Sequence, residues 1–339
     1  MRVLAVTNMY PTPERPASGA FVEGQVAGLR EAGVDVDVFL VDRHGQGPFV
    51  YLGLGRSLAG RFRSHPYDLV HVMYGGVMAE QVTSFRLRPT VVSFCGSDLL
   101  GEPCNGVFRK LCAAWGVRAS LRAARQADGI VVKSQNLLEA LPVRTRVKAR
   151  VIPNGVDLET FREMNREECR RRLGLPFKTF LALFPANSGD LVKRPELAES
   201  SVKRLRELGV EAELIRLENV PHCEVPSLLN ACDVLLLTSL HEGSPNVVKE
   251  ALACNIPIVS VEVGDVSERI SGVEGCYICK AGPEELAAHL RRVFEGPRRI
   301  NGRTSVVDLT LDCVARRLHQ FYGEVLAGWE RDVSDVERG

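Results

Sequence analysis

The sequence predicts an α/β protein of two doubly wound parallel sheets, and three observations carry this reading. Short β-rich runs alternate with longer helical patterns along nearly the whole chain. The runs are almost continuously apolar, as strands covered on both faces must be. At 339 residues the chain exceeds the usual size of a single core, so two domains of about 150 residues are expected. A hydrophobic content of 45% is ample for two cores.

Taken in order, strands are expected at 3–7, 34–41, 69–73, 90–94 and 129–132, with helices around 20–32, 75–86 and 105–126 between them. Near Val151-Ile-Pro-Asn-Gly-Val-Asp157, proline, asparagine and glycine together punctuate the chain after a strand. The first domain is therefore set at 1–155 and the second at 156–306. The second series of strands is expected at 180–184, 212–216, 234–237, 257–261 and 276–279, with helices around 191–208, 244–254 and 283–295. A closing helix is expected at about 307–328. Sheets of this kind receive ligands at the carboxyl ends of their strands.

The net charge of +1 hides an asymmetry. Residues 1–150 carry 19 Lys and Arg against 12 Asp and Glu, hence +7; the remainder carries 24 against 30, hence −6. A basic first half suits an anionic membrane surface or an acidic glycan. Nucleic acid is disfavoured, because no basic and aromatic interleaving appears. Ten cysteines are scattered without a framework of spacings. Cys95, Cys232 and Cys254 sit in or beside apolar runs and read as small buried hydrophobes. The lone Cys276-Tyr-Ile-Cys279 has no second pair and no nearby histidine, so zinc is not expected there. Free thiols in this number point to a reducing cytoplasm. The N-terminus does not read as a signal peptide, and no apolar run approaches the roughly 18 residues of a spanning helix. Any membrane attachment is expected to be peripheral.

The most informative stretch is Ser239-Leu-His-Glu242-Gly243-Ser244-Pro245-Asn246-Val-Val-Lys249-Glu250-Ala-Leu-Ala. It leaves the apolar run Val234-Leu-Leu-Leu237 and enters a helical pattern. Pro245 is expected at the first helical position and Ser244 at the cap. A fresh helix N-terminus offers backbone N–H groups to an anion, and two carboxylates, Glu242 and Glu250, flank it. Phosphate with hydroxyls nearby suits such a site, and a nucleotide sugar carries both. The paired glutamates, the Gly-Ser-Pro insert and the following Lys-Glu-Ala resemble the signature of the family 4 retaining glycosyltransferases, which have the GT-B fold. The string Ile152-Pro-Asn-Gly-Val-Asp157 is similar to the same family's interdomain segment.

The resemblance implies two Rossmann-like domains facing across a cleft, the first binding the acceptor and the second the nucleotide-sugar donor, with the last helix crossing back to the first domain. It implies transfer of a sugar from a nucleotide diphosphate donor, UDP- or GDP-linked, to a hydroxyl, with retention at the anomeric carbon and without a metal or other cofactor. By position, Glu250 would hold ribose hydroxyls and Glu242 would contact the sugar. The N–H groups of Asn246 and Val247, in the Gly243–Ser244 turn's following helix, would bind the diphosphate. Lys193, with Arg194 as a second charge, would stabilise the leaving group. The arginine that relatives carry a few residues earlier is replaced here around Asn187 and Ser188. Ser18-Gly19-Ala20-Phe21 corresponds to a glycine-rich loop that reaches the donor diphosphate and the acceptor. The strings Gly243-Ser-Pro-Asn-Val-Val-Lys-Glu250 and Val263-Gly-Asp-Val-Ser-Glu268 look most like enzymes of bacterial surface-polysaccharide, capsule or teichuronic-acid assembly. Their acceptors are glycans or lipid-linked, which makes contact with the inner leaflet of the membrane an expectation. Three readings stand beside this one: a transferase acting on a soluble small acceptor, a catalytically silent nucleotide-sugar-binding subunit, and a nicotinamide oxidoreductase. The last is disfavoured because no Gly-x-Gly-x-x-Gly follows the first strand.

Ser93-Phe-Cys95-Gly96-Ser97-Asp98 ends the fourth strand, and many relatives have histidine where Cys95 stands. Cysteine cannot replace imidazole as a proton carrier. Asp98 is expected either to contact substrate or to cap the next helix, and Gly96 would permit a close backbone approach. His71 is expected in the core or at a strand end, with lining of the acceptor cleft as its second reading. Asp35 and Asp37 share one solvent-facing side of an alternating strand and read as structural. Along 105–126, Phe108, Leu111, Cys112 and Trp115 share a stripe, with Arg109, Lys110, Arg118, Arg122 and Arg125 elsewhere. The stripe is expected to pack on the sheet; the alternative is a basic amphipathic helix on anionic lipid.

Overall fold

The computed structural model describes residues 1–15, 18–104, 106–185, 190–218 and 220–338. The chain folds as two compact units, Met1–Gly155 joined by the segment from Leu311 onward, and Val156–Thr310.

The first unit holds β1 (Arg2–Thr7), α1 (Ala20–Glu31), β2 (Asp35–Leu40), α2 (Arg43–Gln46), α3 (Leu54–Ser64), β3 (Leu69–Val72), α4 (Gly76–Phe85), β4 (Thr90–Phe94), α5 (Ser97–Leu100), α6 (Val107–Gln126), β5 (Gly129–Val132), α7 (Gln135–Ala140) and β6 (Ala149–Val151). Its six strands are parallel in the order β2-β1-β3-β4-β5-β6. The central strands are mostly apolar because helices cover both faces; Leu4, Val6, Val72, Val92, Phe94, Ile130 and Val132 are fully buried. Each such side chain contributes about 1.5–3 kcal/mol on burial. Asp35 lies exposed on edge strand β2, and Asp37 accepts from Tyr67 Oη at 2.6 Å and Arg2 at 3.1 Å.

The stripe of α6 does not pack on the sheet. Its buried residues are the small Ala119, Ser120, Ala123 and Ala124, and it meets α4 through Ser120 Oγ, which accepts from Gly76 N–H at 2.7 Å, and through Arg122, which pairs with Glu80. Burial is thus confined to the C-terminal half of α6, where the side chains are small. Phe108 is 79% exposed, Leu111 64% and Trp115 53%.

The second unit holds α8 (Arg166–Leu173), β7 (Phe180–Phe184), α9 (Pro195–Glu207), β8 (Ala212–Arg216), α10 (Val225–Ala231), β9 (Val234–Leu237), α11 (Asn246–Ala253), β10 (Ile258–Val261), α12 (Val266–Ile270), β11 (Tyr277–Cys279) and α13 (Pro283–Glu295). Its parallel sheet runs β11-β10-β9-β7-β8. The order reverses between β7 and β9, so the carboxyl ends of these strands form the switch point where ligands bind. A final helix, α14 (Leu311–Arg338), packs against α1 of the first unit. It starts four residues later than expected, because 303–309 form a 3₁₀ turn belonging to the second unit.

Candidate active site

The site is built at the carboxyl end of β9. Leu240 N–H donates to Val192 O at 2.8 Å, and Thr238 Oγ1 donates to Lys193 O at 2.6 Å, which ties the turn after β9 to the segment before α9. This clamp places Lys193 Nζ 2.5 Å from Glu242 Oε1, and Ser239 Oγ donates to the same oxygen at 2.7 Å. Both side chains of the pair are mostly buried. Arg194 faces a different set of atoms. Its guanidinium donates to the carbonyls of Thr238 and Ser239, the latter at 3.1 Å, so it holds the strand end while Lys193 meets the carboxylate. Asn187 and Ser188 lie outside the described residues.

The helix start differs from expectation by one residue. Pro245 is the N-cap of α11 and Asn246 its first residue, with no side chain capping it. Ser244 does not cap because its hydroxyl donates to Asp265 Oδ2 at 2.8 Å, and buried Lys249 brings Nζ within 3.2 Å of the same hydroxyl. Asp265 N–H donates to Gly243 O at 3.2 Å. Gly264 sits at φ +57, and a Cβ there would stand 2.2 Å from Gly243 O. Only glycine allows this approach. The Val263–Asp265 segment thus braces the Glu242–Ser244 loop, which leads directly into the first turn of α11 at Asn246 and Val247. A helix start carries about half a positive charge, which favours an anion there.

Glu250 lies on the next turn of α11 and is 8% exposed. Its Oε1 is 3.0 Å from His222 Nε2, and the His222 ring stacks at a tilt on Phe161, centroids 5.2 Å apart. Sequence reasoning missed His222, Ser239 and Asp265. Ser239 and Asp265 were within strings already singled out, whereas His222 belongs to no local pattern and is found only through its contact with Glu250.

In the first unit the predicted residues gather at the carboxyl ends of β1, β3 and β4. Gly19 is the N-cap of α1 at φ +69, and a Cβ there would lie 2.4 Å from the carbonyl of Met9. The glycine therefore lets the loop after β1 close on its own backbone. Asp98 is buried and accepts from the N–H groups of Gly75 at 2.9 Å, Cys95 at 3.0 Å and Gly96 at 2.8 Å, which locks the ends of β3 and β4 together. Burial raises its pKa, against the lowering effect of those three donors. Gly96, not Asp98, is the N-cap of α5. Cys95 Sγ is 3.8 Å from Met73 O. His71 belongs to the core and lines no cleft: it is fully buried, hydrogen-bonded through Nδ1 to Tyr322 Oη at 2.6 Å and through Nε2 to Ser93 Oγ at 2.8 Å. Burial, with Lys133 nearby, lowers its pKa to about 3.

Two family models match the chain. The model described as Glycosyltransferase Family 4 matches residues 18–160, and that described as Glycosyl transferases group 1 matches residues 189–296. The chain belongs to these glycosyltransferases. Lys193, Arg194, Glu242 and Glu250 all fall in the second matched region, and Gly19, His71, Cys95 and Asp98 in the first. This glycosyltransferase is 26% identical over 358 residues to the putative teichuronic acid biosynthesis glycosyltransferase TuaC of Bacillus subtilis, covering 86% of this chain and 89% of that one. Among solved structures, sucrose-phosphate synthase from Thermosynechococcus elongatus matches with a TM-score of 0.78 at 16% identity, over 97% of this chain and 100% of that one. HepE of Anabaena, in complex with UDP-glucose, matches with a TM-score of 0.60 at 17% identity, over 98% and 100%. The fold of the glycosyltransferase is accordingly GT-B, with two parallel α/β units.

Proposed function

We propose that the enzyme is a retaining glycosyltransferase that moves a sugar from a nucleotide diphosphate sugar to a hydroxyl of a glycan or lipid-linked acceptor in bacterial surface-polysaccharide biosynthesis. The observation that carries the reading is the pairing of Lys193 with Glu242 beside the start of α11, with Glu250 one turn further on. A donor diphosphate at the first turn of α11 brings its charge against the Lys193 ammonium, so the ion pair opens as the donor binds. Glu250 then takes ribose hydroxyls, with His222 fixing its carboxylate. Glu242, freed from the lysine, faces the transferred sugar.

In the transfer the bond from the anomeric carbon to the diphosphate oxygen breaks and a bond to the acceptor oxygen forms. The acceptor proton passes to the departing diphosphate oxygen, so no side-chain base is required at Cys95. Lys193 and the helix start stabilise the charge that develops on the leaving group, and preorganised contacts of this kind contribute roughly 3–4 kcal/mol each. With that charge met by protein groups, the reaction is proposed to run without a metal. The first unit binds the acceptor; its positive charge suits a diphosphate-linked or acidic chain and peripheral contact with the inner leaflet. Similarity to TuaC supports the acceptor class, and the UDP-glucose complex of HepE supports the donor class.

Thermal unfolding in the presence of UDP- and GDP-sugars tests the donor. A ligand at about 100 times its dissociation constant stabilises the folded state by roughly 2.7 kcal/mol, so at least one donor should raise the midpoint by several degrees. No shift with any nucleotide sugar at millimolar concentration would defeat the proposal.

A further inference from the structure

We infer that the N-terminal half of α6 is a membrane-docking element that inserts Phe108, Leu111 and Trp115 among the lipids of an anionic bilayer. The inference rests on the proposed lipid-linked acceptor and identifies the surface that reaches it.

Four observations carry it. Val107, Phe108, Leu111 and Trp115 are 76%, 79%, 64% and 53% exposed, a concentration of large apolar groups unmatched elsewhere among the described residues. Phe108, Leu111 and Trp115 follow one another at i, i+3 and i+7, so they share one side of the helix. Arg109 and Lys110 stand exposed between them, and no Asp or Glu occurs from 103 to 127. Finally, every residue from Val107 to Cys112 is exposed, so the start of the helix is uncovered on all sides, whereas its second half is anchored by the buried Ala119, Ser120, Ala123 and Ala124.

That last point selects the occupant. A protein groove covers one face of a helix and leaves cations on the other faces in solvent. A bilayer surrounds the element: apolar side chains pass below the headgroups, while Arg109 and Lys110 extend along their stems to lipid phosphates. Tryptophan and phenylalanine suit the apolar edge of the interface. The acid-free stretch complements anionic headgroups, each basic group adding to the attraction.

Sedimentation of the full chain with phosphatidylcholine vesicles, with and without phosphatidylglycerol, tests the inference. The wild-type protein should pellet with the anionic vesicles. Phe108→Ser/Leu111→Ser/Trp115→Ser should weaken that binding by roughly a hundredfold or more. Arg109→Glu/Lys110→Glu should weaken it by roughly tenfold or more, on anionic vesicles alone. In a Trp329→Phe background, Trp115 is the remaining tryptophan, and its emission should shift to the blue on vesicle addition. The substituted positions are exposed, so midpoints of unfolding and nucleotide-sugar shifts should stay at wild-type values, which separates a failure of docking from a failure of the donor site. Absence of wild-type binding to either vesicle, or unchanged binding by the triple variant, would overturn the inference. So would light scattering that shows the triple substitution dissolving a dimer of a protein that never pellets.

Discussion

Lys193 Nζ lies 2.5 Å from Glu242 Oε1, and the same oxygen accepts from Ser239. The cation proposed for the leaving group is thus held in place by the carboxylate proposed for the sugar, each neutralising the other before the donor arrives. Lys193→Ala should lower kcat by roughly 10²–10³-fold, with a smaller effect on donor affinity, because leaving-group charge peaks in the transition state. Steady-state kinetics check this. A rise in KM with unaltered kcat would count against the role.

The contact between His222 and Glu250 bears on donor binding. Glu250→Ala should weaken binding of the free nucleoside diphosphate by roughly tenfold or more, since the ribose hydroxyls lose a charged acceptor. His222→Ala should weaken it less, because Glu250 remains and only its orientation is released. Calorimetric titration orders the two. Equal affinity in Glu250→Ala and wild type, both folded, would remove Glu250 from the site.

Asp98 joins three backbone N–H groups from two strand ends. Asp98→Ala leaves all three without their acceptor and should destabilise the protein by about 3 kcal/mol or more. Asp98→Asn, which keeps an oxygen, should lose less. Denaturant unfolding measures both. A variant of parental stability with lost turnover would instead put Asp98 in contact with substrate.

His71 predicts a pH dependence. Its pKa is lowered by burial to about 3 in the folded protein, against 6.5 ordinarily. Below pH 6.5 the unfolded chain takes up a proton that the folded chain refuses. Its contribution is therefore complete above 6.5 and is lost as pH falls toward the folded value, at up to about 1.4 kcal/mol per unit. In His71→Gln that slope should flatten. Unfolding curves between pH 7 and pH 4, a window set by those two pKa values, read the difference, and parallel slopes would contradict it.

The strands were legible because their signal is local. At 90–94, 129–132, 180–184 and 234–237 the runs coincide with the observed strands, since a strand buried on both faces has no polar register to confuse its ends; 212–216 also coincides, although β8 is an edge strand carrying Glu213 and Arg216. β6 was harder to read, with three residues of which two are exposed. Helix α8 was missed because Arg166-Glu-Glu-Cys-Arg-Arg-Arg-Leu173 has no apolar stripe. It is fixed through the buried Arg170 guanidinium, which donates to Ala231 O at 2.7 Å, Thr179 O at 2.9 Å and Asp233 at 2.7 Å. In the site, Glu242 and Glu250 were found by their motif, while the partners of Asp98 and Glu250 depend on contacts across the fold. The stripe of α6 shows the converse: helical periodicity marks a face but does not say whether protein covers it.

The anomeric proton of the reaction product tests the central claim most directly. Proton NMR would follow the enzyme with a donor that shifts its unfolding, in the presence of a lipid-linked or glycan acceptor. The account predicts loss of the donor's anomeric signal, appearance of free nucleoside diphosphate and a new glycosidic signal with the donor's anomeric configuration. Folded enzyme that consumes no nucleotide sugar, or a product with the inverted configuration, would contradict it.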